Sequence, residues 1–67
     1  MKAERKGDTI IISDIWNESQ LETVTVSVKN TGCEIRFEDN HTKAIIVGKG
    51  ERPGYSINKF IHNWNKE

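Results

Sequence analysis

The feature that most constrains this chain is the grouping of its β-branched residues into short runs. Ile and Val are concentrated in segments separated by turns rich in Gly, Asn and Asp. Alternation of apolar and polar residues within such runs is typical of strands that bury one face, and it argues against a disordered chain. We therefore expect a mainly β (α+β) fold, with a small curved antiparallel sheet or an SH3-like barrel of four to five strands and one short C-terminal helix.

Two of the predicted strands are apolar on both faces. Residues 9–16 contain the run Thr-Ile-Ile-Ile, and residues 43–48 contain Ala-Ile-Ile-Val. A strand without a polar face is covered on both sides, so both segments are predicted to be central. We expect them to be neighbours, and their pairing would close the sheet into a small barrel.

A hairpin is predicted between these two strands. Residues 22–29 alternate three valines with Thr, Ser and Lys, and Gly32 can adopt the left-handed conformation that a short hairpin loop with a bulge requires. Residues 33–38 then continue the inward face through Cys33, Ile35 and Phe37. The polar segment that follows predicts a second turn into the strand at 43–48.

The two ends of the chain have different patterns. Residues 1–7 are mostly charged and are predicted to be flexible. Residues 56–65 are predicted to form a helix with Ser56 as N-cap and Tyr55 in a hydrophobic staple. The apolar face of this helix has the i, i+3, i+4, i+7 spacing and consists of Ile57, Phe60, Ile61 and Trp64.

The composition excludes several classes of partner. Ten basic and ten acidic side chains give no net charge, so there is no overall field to attract DNA, RNA or an anionic membrane, and nucleic acid is the less favoured partner. The single cysteine permits no internal disulfide and points to a reducing, cytoplasmic location. No signal or membrane-spanning pattern is present, so no membrane association is expected. A chain of only 67 residues can bury only a small core, which gives little stability and favours a homo-oligomer.

The residues that could support catalysis do not form a recognisable pattern. Cys33 could act as a nucleophile with His41 or His62 as base, but its place among inward-facing residues favours a small apolar role. His41 lies in a polar turn, and no metal-ligand spacing accompanies it. We therefore expect no catalytic residue, no metal and no cofactor.

The connector between the last strand and the helix is the one stretch with candidate ligand chemistry. Its glycines allow close approach of a ligand, and it leads to a helix N-terminus, where amide groups and the helix dipole favour anions. A plain strand-to-helix connector is the alternative, since such a connection needs Gly and Pro anyway. The candidate ligand-binding residues are Lys49, Arg52, Tyr55, Ser56, Asn58 and Lys59.

Trp16 is a second candidate site. It follows the first predicted strand and precedes a polar segment. It is predicted either to cover the core or to face a partner, because Trp is enriched at interfaces.

The order of four short strands, a Gly-rich turn and a final helix resembles the small SH3-like accessory proteins of phages and prophages. The resemblance is carried by Tyr55-Ser56-Ile57 leading to Phe60 and Trp64. It implies a host-takeover or anti-defence factor that sequesters a nucleotide signal or a host protein. We expect a non-enzymatic binding module for an anionic or nucleotide-like ligand or a host protein, and the alternative is a nucleic-acid-binding small β-barrel protein.

Overall fold

The computed structural model describes residues 1–66, which form a four-stranded sheet and two helices. Neighbouring strands are all antiparallel, and their order across the sheet is β1-β2-β4-β3. The α+β class is thus confirmed. The elements in chain order are β1 (Lys2–Lys6), β2 (Thr9–Ser13), α1 (Glu18–Val28), β3 (Glu34–Glu38), β4 (Lys43–Val47) and α2 (Pro53–Lys66).

The sheet is open and does not form the expected SH3-like barrel. The pairing predicted between the two most apolar strands is confirmed, since β2 and β4 are neighbours with Ile11 opposite Ile45. The prediction that this pairing closes the sheet into a barrel is wrong. The strands β1 and β3 remain as two edges, and the helices cover the core in place of a second layer of strands.

The prediction that residues 1–7 are flexible is wrong, because most of them form a strand. Lys2–Lys6 form β1, which pairs along its whole length with β2. The two strands are joined by Gly7 and Asp8, and Gly7 has a φ of 60°. A glycine with positive φ at the first position of a two-residue loop is the pattern of a type II′ hairpin turn. That dipeptide was a usable signal for an additional strand.

The predicted strand at 22–29 is wrong, because this segment belongs to α1. Asn17 caps the helix, and its side-chain oxygen accepts a hydrogen bond from the Gln20 amide at 2.9 Å. The Gln20 side chain in turn accepts one from the Trp16 amide at 2.7 Å. This reciprocal pattern is close to a capping box, and such a start signal favours a helix. Val24 and Val28 share a face in either conformation, so alternation alone does not distinguish a strand from a helix.

The hydroxyl-rich sequence of α1 is accommodated within the helix. Thr23, Thr25 and Ser27 donate their hydroxyl hydrogens to the carbonyl groups four residues earlier, at 2.8–3.0 Å. These bonds satisfy side chains that otherwise compete with the helical backbone. In the helix Val24 is buried while Val26 is exposed, whereas the predicted strand would have buried both.

The helix α2 begins at Pro53, three residues before the predicted start. Proline is favoured at the first helical position because the N–H of that residue has no partner within the helix, so its absence costs no hydrogen bond. Ser56 is therefore a residue of the first turns and not the N-cap. The predicted apolar face is confirmed: Ile57 and Phe60 are buried, and Ile61 and Trp64 pack against the core.

The chain contains a structural repeat of two strands followed by a helix. The units β1-β2-α1 and β3-β4-α2 have the same element order, and β2 pairs with β4 at their boundary. The register relates the hairpin β1-β2 to the hairpin β3-β4 by an approximate two-fold axis through the Ile11–Ile45 pair, perpendicular to the sheet. Both helices lie on one face of the sheet, where Ile10, Ile12, Ala44 and Ile46 are buried. Within residues 1–66, neither helix has the length and apolar content needed to cross a bilayer.

Candidate functional site

The connector before α2 is a surface segment with one basic side chain already paired. Gly48 is buried and its amide donates to the Asp8 carbonyl at 2.9 Å, whereas Lys49 and Arg52 are exposed. The Lys49 ammonium lies 2.8 Å from a carboxylate oxygen of Glu34. Its hydrogen bond and positive charge lower the pKa of Glu34 below the ordinary value.

The helix N-terminus offers an anion fewer groups than the sequence suggested. Pro53 has no amide hydrogen, and the amides of Tyr55 and Ser56 both donate to the Arg52 carbonyl, at 3.0 and 3.2 Å. Ser56 is buried, and its hydroxyl donates to the Lys49 carbonyl at 3.1 Å. In this structure Ser56 therefore holds the connector in place and does not point toward a ligand.

Three of the six predicted ligand residues line one cleft. Tyr55, Asn58 and Lys59 lie along an open cleft of about 460 Å³. The other walls belong to the end of α1 and to the later turns of α2. Lys49, Arg52 and Ser56 are not part of the lining. The remaining lining residues are Lys29, Asn30, His62 and Asn63.

Helical spacing produces this cleft. Tyr55, Asn58, Lys59 and His62 stand at i, i+3, i+4 and i+7, so they form one stripe of α2 on the side away from the core. The two helices are tied together near the cleft by Asn63, whose side-chain amide donates to the Ser27 carbonyl at 3.1 Å. One wall of the cleft is thus a helical face, and the other is formed by the turn that follows α1.

The lining of the cleft is basic and amide-rich. It contains two lysines, a histidine and three asparagines but no acidic residue. The Lys59 ammonium lies 4.9 Å from the centre of the Tyr55 ring, and Tyr55 is 58% exposed. The side-chain oxygen Oδ1 of Asn58 accepts a hydrogen bond from the Arg5 guanidinium at 3.3 Å. An exposed aromatic ring beside ammonium and amide groups can hold a planar anion.

Part of this site could be predicted from the sequence. His62 could have been included, because it lies seven residues after Tyr55 on the same helical face. Lys29 and Asn30 could not, since they join the site only through the packing of α1, a segment whose sequence pattern predicts a strand.

Of the three residues considered for catalysis, His62 lines the cleft, whereas Cys33 and His41 do not. Cys33 packs half-buried against the core, as expected for an apolar role. His41 is exposed, and its ring centre lies 5.2 Å from that of Phe37. Across residues 1–66, no three His, Cys, Asp or Glu side chains are grouped in a way that could hold a metal ion.

Trp16 does not cover the core. Its side chain is 75% exposed, so the core-covering interpretation is wrong. It borders a small depression of about 240 Å³ together with Leu21 and His41. A partner-facing role for Trp16 stays a prediction.

Comparison with models of protein families, with curated proteins and with solved structures found no match to this chain.

Proposed function

We propose that this protein is a non-enzymatic binding module that captures a small anionic, nucleotide-like ligand in the cleft between α2 and the end of α1. The observation that carries the proposal is the composition of the cleft. Two lysines and an exposed tyrosine face the same open space, and no carboxylate lines it. A site of that kind attracts phosphate charge and offers a planar surface to a base.

The positions of the side chains suggest how such a ligand would lie. A base would stack on the face of the Tyr55 ring opposite the Lys59 ammonium, or would displace that ammonium from the ring, and the phosphates would contact Lys59 and Lys29. The side-chain amides of Asn30 and Asn63 would donate to ring or sugar oxygens. The cleft is open and not enclosed, so we expect moderate affinity, with a dissociation constant of about 1 to 100 μM.

Calorimetric titration with a panel of nucleoside phosphates and cyclic nucleotides tests the proposal. Lys59→Ala is expected to weaken binding at least about tenfold, because it removes a charge in direct contact with the ligand. Tyr55→Ala is expected to do the same, whereas Tyr55→Phe keeps the stacking ring and retains most of the affinity. Binding is also expected to weaken with added salt.

Arg52→Ala is the matched control, since Arg52 is equally exposed and basic but does not line the cleft. Retained binding in this variant supports the cleft. Loss of binding in Arg52→Ala together with full binding in Lys59→Ala would move the site to the connector. Absence of binding for every ligand in the panel would contradict the small-molecule proposal.

A protein partner is the second candidate, and the exposure of Trp16 favours it. The indole lies on the opposite end of α1 from the cleft, so the two functions need not compete. A phage or prophage accessory role in anti-defence is the biological setting implied by the resemblance, and capture of a nucleotide signal would suit it. The zero net charge of the chain provides no overall field that would favour the nucleic-acid alternative.

A further inference from the structure

The face of the sheet away from the helices, called here the open face, has two isoleucines at its centre and charged residues along both edges. The central strands also present Thr9, Ser13, Lys43 and Val47 on this face. Burial alternates along both central strands, with Ile10, Ile12, Ala44 and Ile46 beneath the helices. Ile11 and Ile45 therefore lie side by side on the open face, half-buried and uncovered by either helix.

The two edge strands bear opposite charge patterns on this face. In β1 the outward residues are Lys2, Glu4 and Lys6, and in β3 they are Glu34, Arg36 and Glu38. The register places Glu4 beside Ile11 and Arg36 beside Ile45, so these two charges end the same row across the sheet. In the row of Thr9 and Val47, Lys6 and Glu34 are the two ends.

The remaining row completes the pattern. Lys2 pairs with Ser13 and Glu38 pairs with Lys43, one further step along the same ladders. All three rows thus end in opposite charges, and the Glu34 carboxylate also contacts Lys49 within its own chain. The internal two-fold axis relates β1 to β3, and it exchanges opposite charges at the three outward positions of these edge strands.

We propose that the open face binds a second copy of this chain, with two sheets stacked face to face about a two-fold axis parallel to the strands. That axis exchanges the two edges while it preserves each row. Lys2, Glu4 and Lys6 then lie over Glu38, Arg36 and Glu34 of the second copy, and Ile11 lies over Ile45. Stacked sheets of this kind keep their strands within about 30° of each other.

The charges select this arrangement over other two-fold pairings. A two-fold axis in the sheet plane but perpendicular to the strands would place Lys2 over Lys6 and Glu4 over Glu4. Antiparallel pairing of β1 with a second β1 would set the same like charges opposite each other, and β3 with β3 would oppose Arg36 to Arg36. Like charges at these positions are destabilising.

The size of the face limits the expected affinity. Four five-residue strands cover roughly 17 Å along the strands and about 19 Å across them. The footprint is about 320 Å² on each copy, below the roughly 800 Å² per partner of a standard stable interface, so we expect a weak dimer with a dissociation constant of about 100 μM. The cleft lies on the helical side of the sheet, and stacking would leave both copies of it accessible.

The arrangement is tested with variants in which charges are exchanged while the net charge stays the same. Their dimerisation is measured by sedimentation over a range of protein concentrations. Lys2→Glu with Glu4→Lys alters β1 only, and Arg36→Glu with Glu38→Arg alters β3 only. Each double variant alone is expected to dimerise at least about tenfold more weakly than the original chain. A mixture of the two, and the quadruple variant, are expected to recover the dimer because every row again joins opposite charges.

Recovery of the dimer in the mixture also shows that the double variants fold. The matched control is Glu22→Lys with Lys66→Glu, which exchanges charges away from the open face. Edge-to-edge joining of β1 to β3 would match the same rows, but it generates assemblies that grow with concentration and does not need the isoleucines. Ile45→Lys distinguishes the two, since it should abolish the stacked dimer. A monomer at all concentrations, growth beyond two copies, or a dimer unaffected by the double variants would overturn the proposal.

Discussion

The hydroxyl of Ser56 donates a hydrogen bond to the backbone carbonyl of Lys49 at 3.1 Å. This contact joins two residues seven positions apart and fixes the connector over the first turns of α2. It lies beside the close approach of Gly48 to Pro53, where a side chain would overlap the proline carbonyl group. The connector is thus held by packing, although most of its side chains are exposed.

Ser56→Ala should destabilise the protein by about 1 kcal/mol, because the part-buried hydrogen bond to the Lys49 carbonyl is lost. Urea unfolding followed by circular dichroism measures the change. Ser19→Ala is the control, since its side chain is exposed on α1. Equal stability of the two variants would show that the Ser56 bond contributes nothing.

Asn17→Ala should lower the free energy of unfolding by about 1 kcal/mol through loss of the helix cap. Asn17→Asp keeps an oxygen acceptor for the Gln20 amide and should retain the original stability. Thermal unfolding monitored at a helical wavelength distinguishes them. If alanine were as stable as aspartate, the cap of α1 would not form in solution.

The carboxyl of Glu34 should titrate below its ordinary pKa because the Lys49 ammonium contacts it. A lowered folded-state pKa stabilises the fold above the unfolded pKa, and that contribution is lost as the pH falls through the folded pKa. The effect therefore belongs to the acidic range. Side-chain NMR titration should show the pKa of Glu34 rising in Lys49→Ala and with added salt. An unchanged pKa in that variant would contradict the ion pair.

The two tryptophans should differ in access to a dissolved quencher. Trp16 is 75% exposed, whereas Trp64 is half-buried and stacks on Phe60 with 5.9 Å between ring centres. Acrylamide should quench the Trp64→Phe variant, which retains Trp16, much more strongly than the Trp16→Phe variant. Similar quenching of both would mean that Trp16 is covered in solution.

The sequence predicted those elements for which a local pattern had one interpretation. The strands at 43–48 and 33–38, the turn between them and the apolar face of α2 agree with the structure to within a few residues. The prediction for residues 22–29 was wrong because the spacing of the valines fits both a strand and a helix. They alternate as in a strand, and Val24 and Val28 also lie on one face of a helix. There the decisive signal was Asn17 with Gln20, which lies outside the alternating residues.

Only half of the predicted site residues line the cleft, for a similar reason. Tyr55, Asn58 and Lys59 fall on one helical stripe, so their proximity follows from spacing alone. Lys49 and Arg52 are close to them in sequence, but the connector directs them elsewhere. Lys29 enters the cleft from another helix.

The sequence by itself determined the α+β class, the central position of β2 and β4, and the amphipathic face of α2. Each depends on periodicity within one segment, which short-range geometry decides. Only the tertiary structure decided that β1 and β3 remain as edges, that α1 covers the core, and that opposite charges end each row of the open face. These features depend on the register and packing of segments far apart in the chain, and no local pattern specifies them.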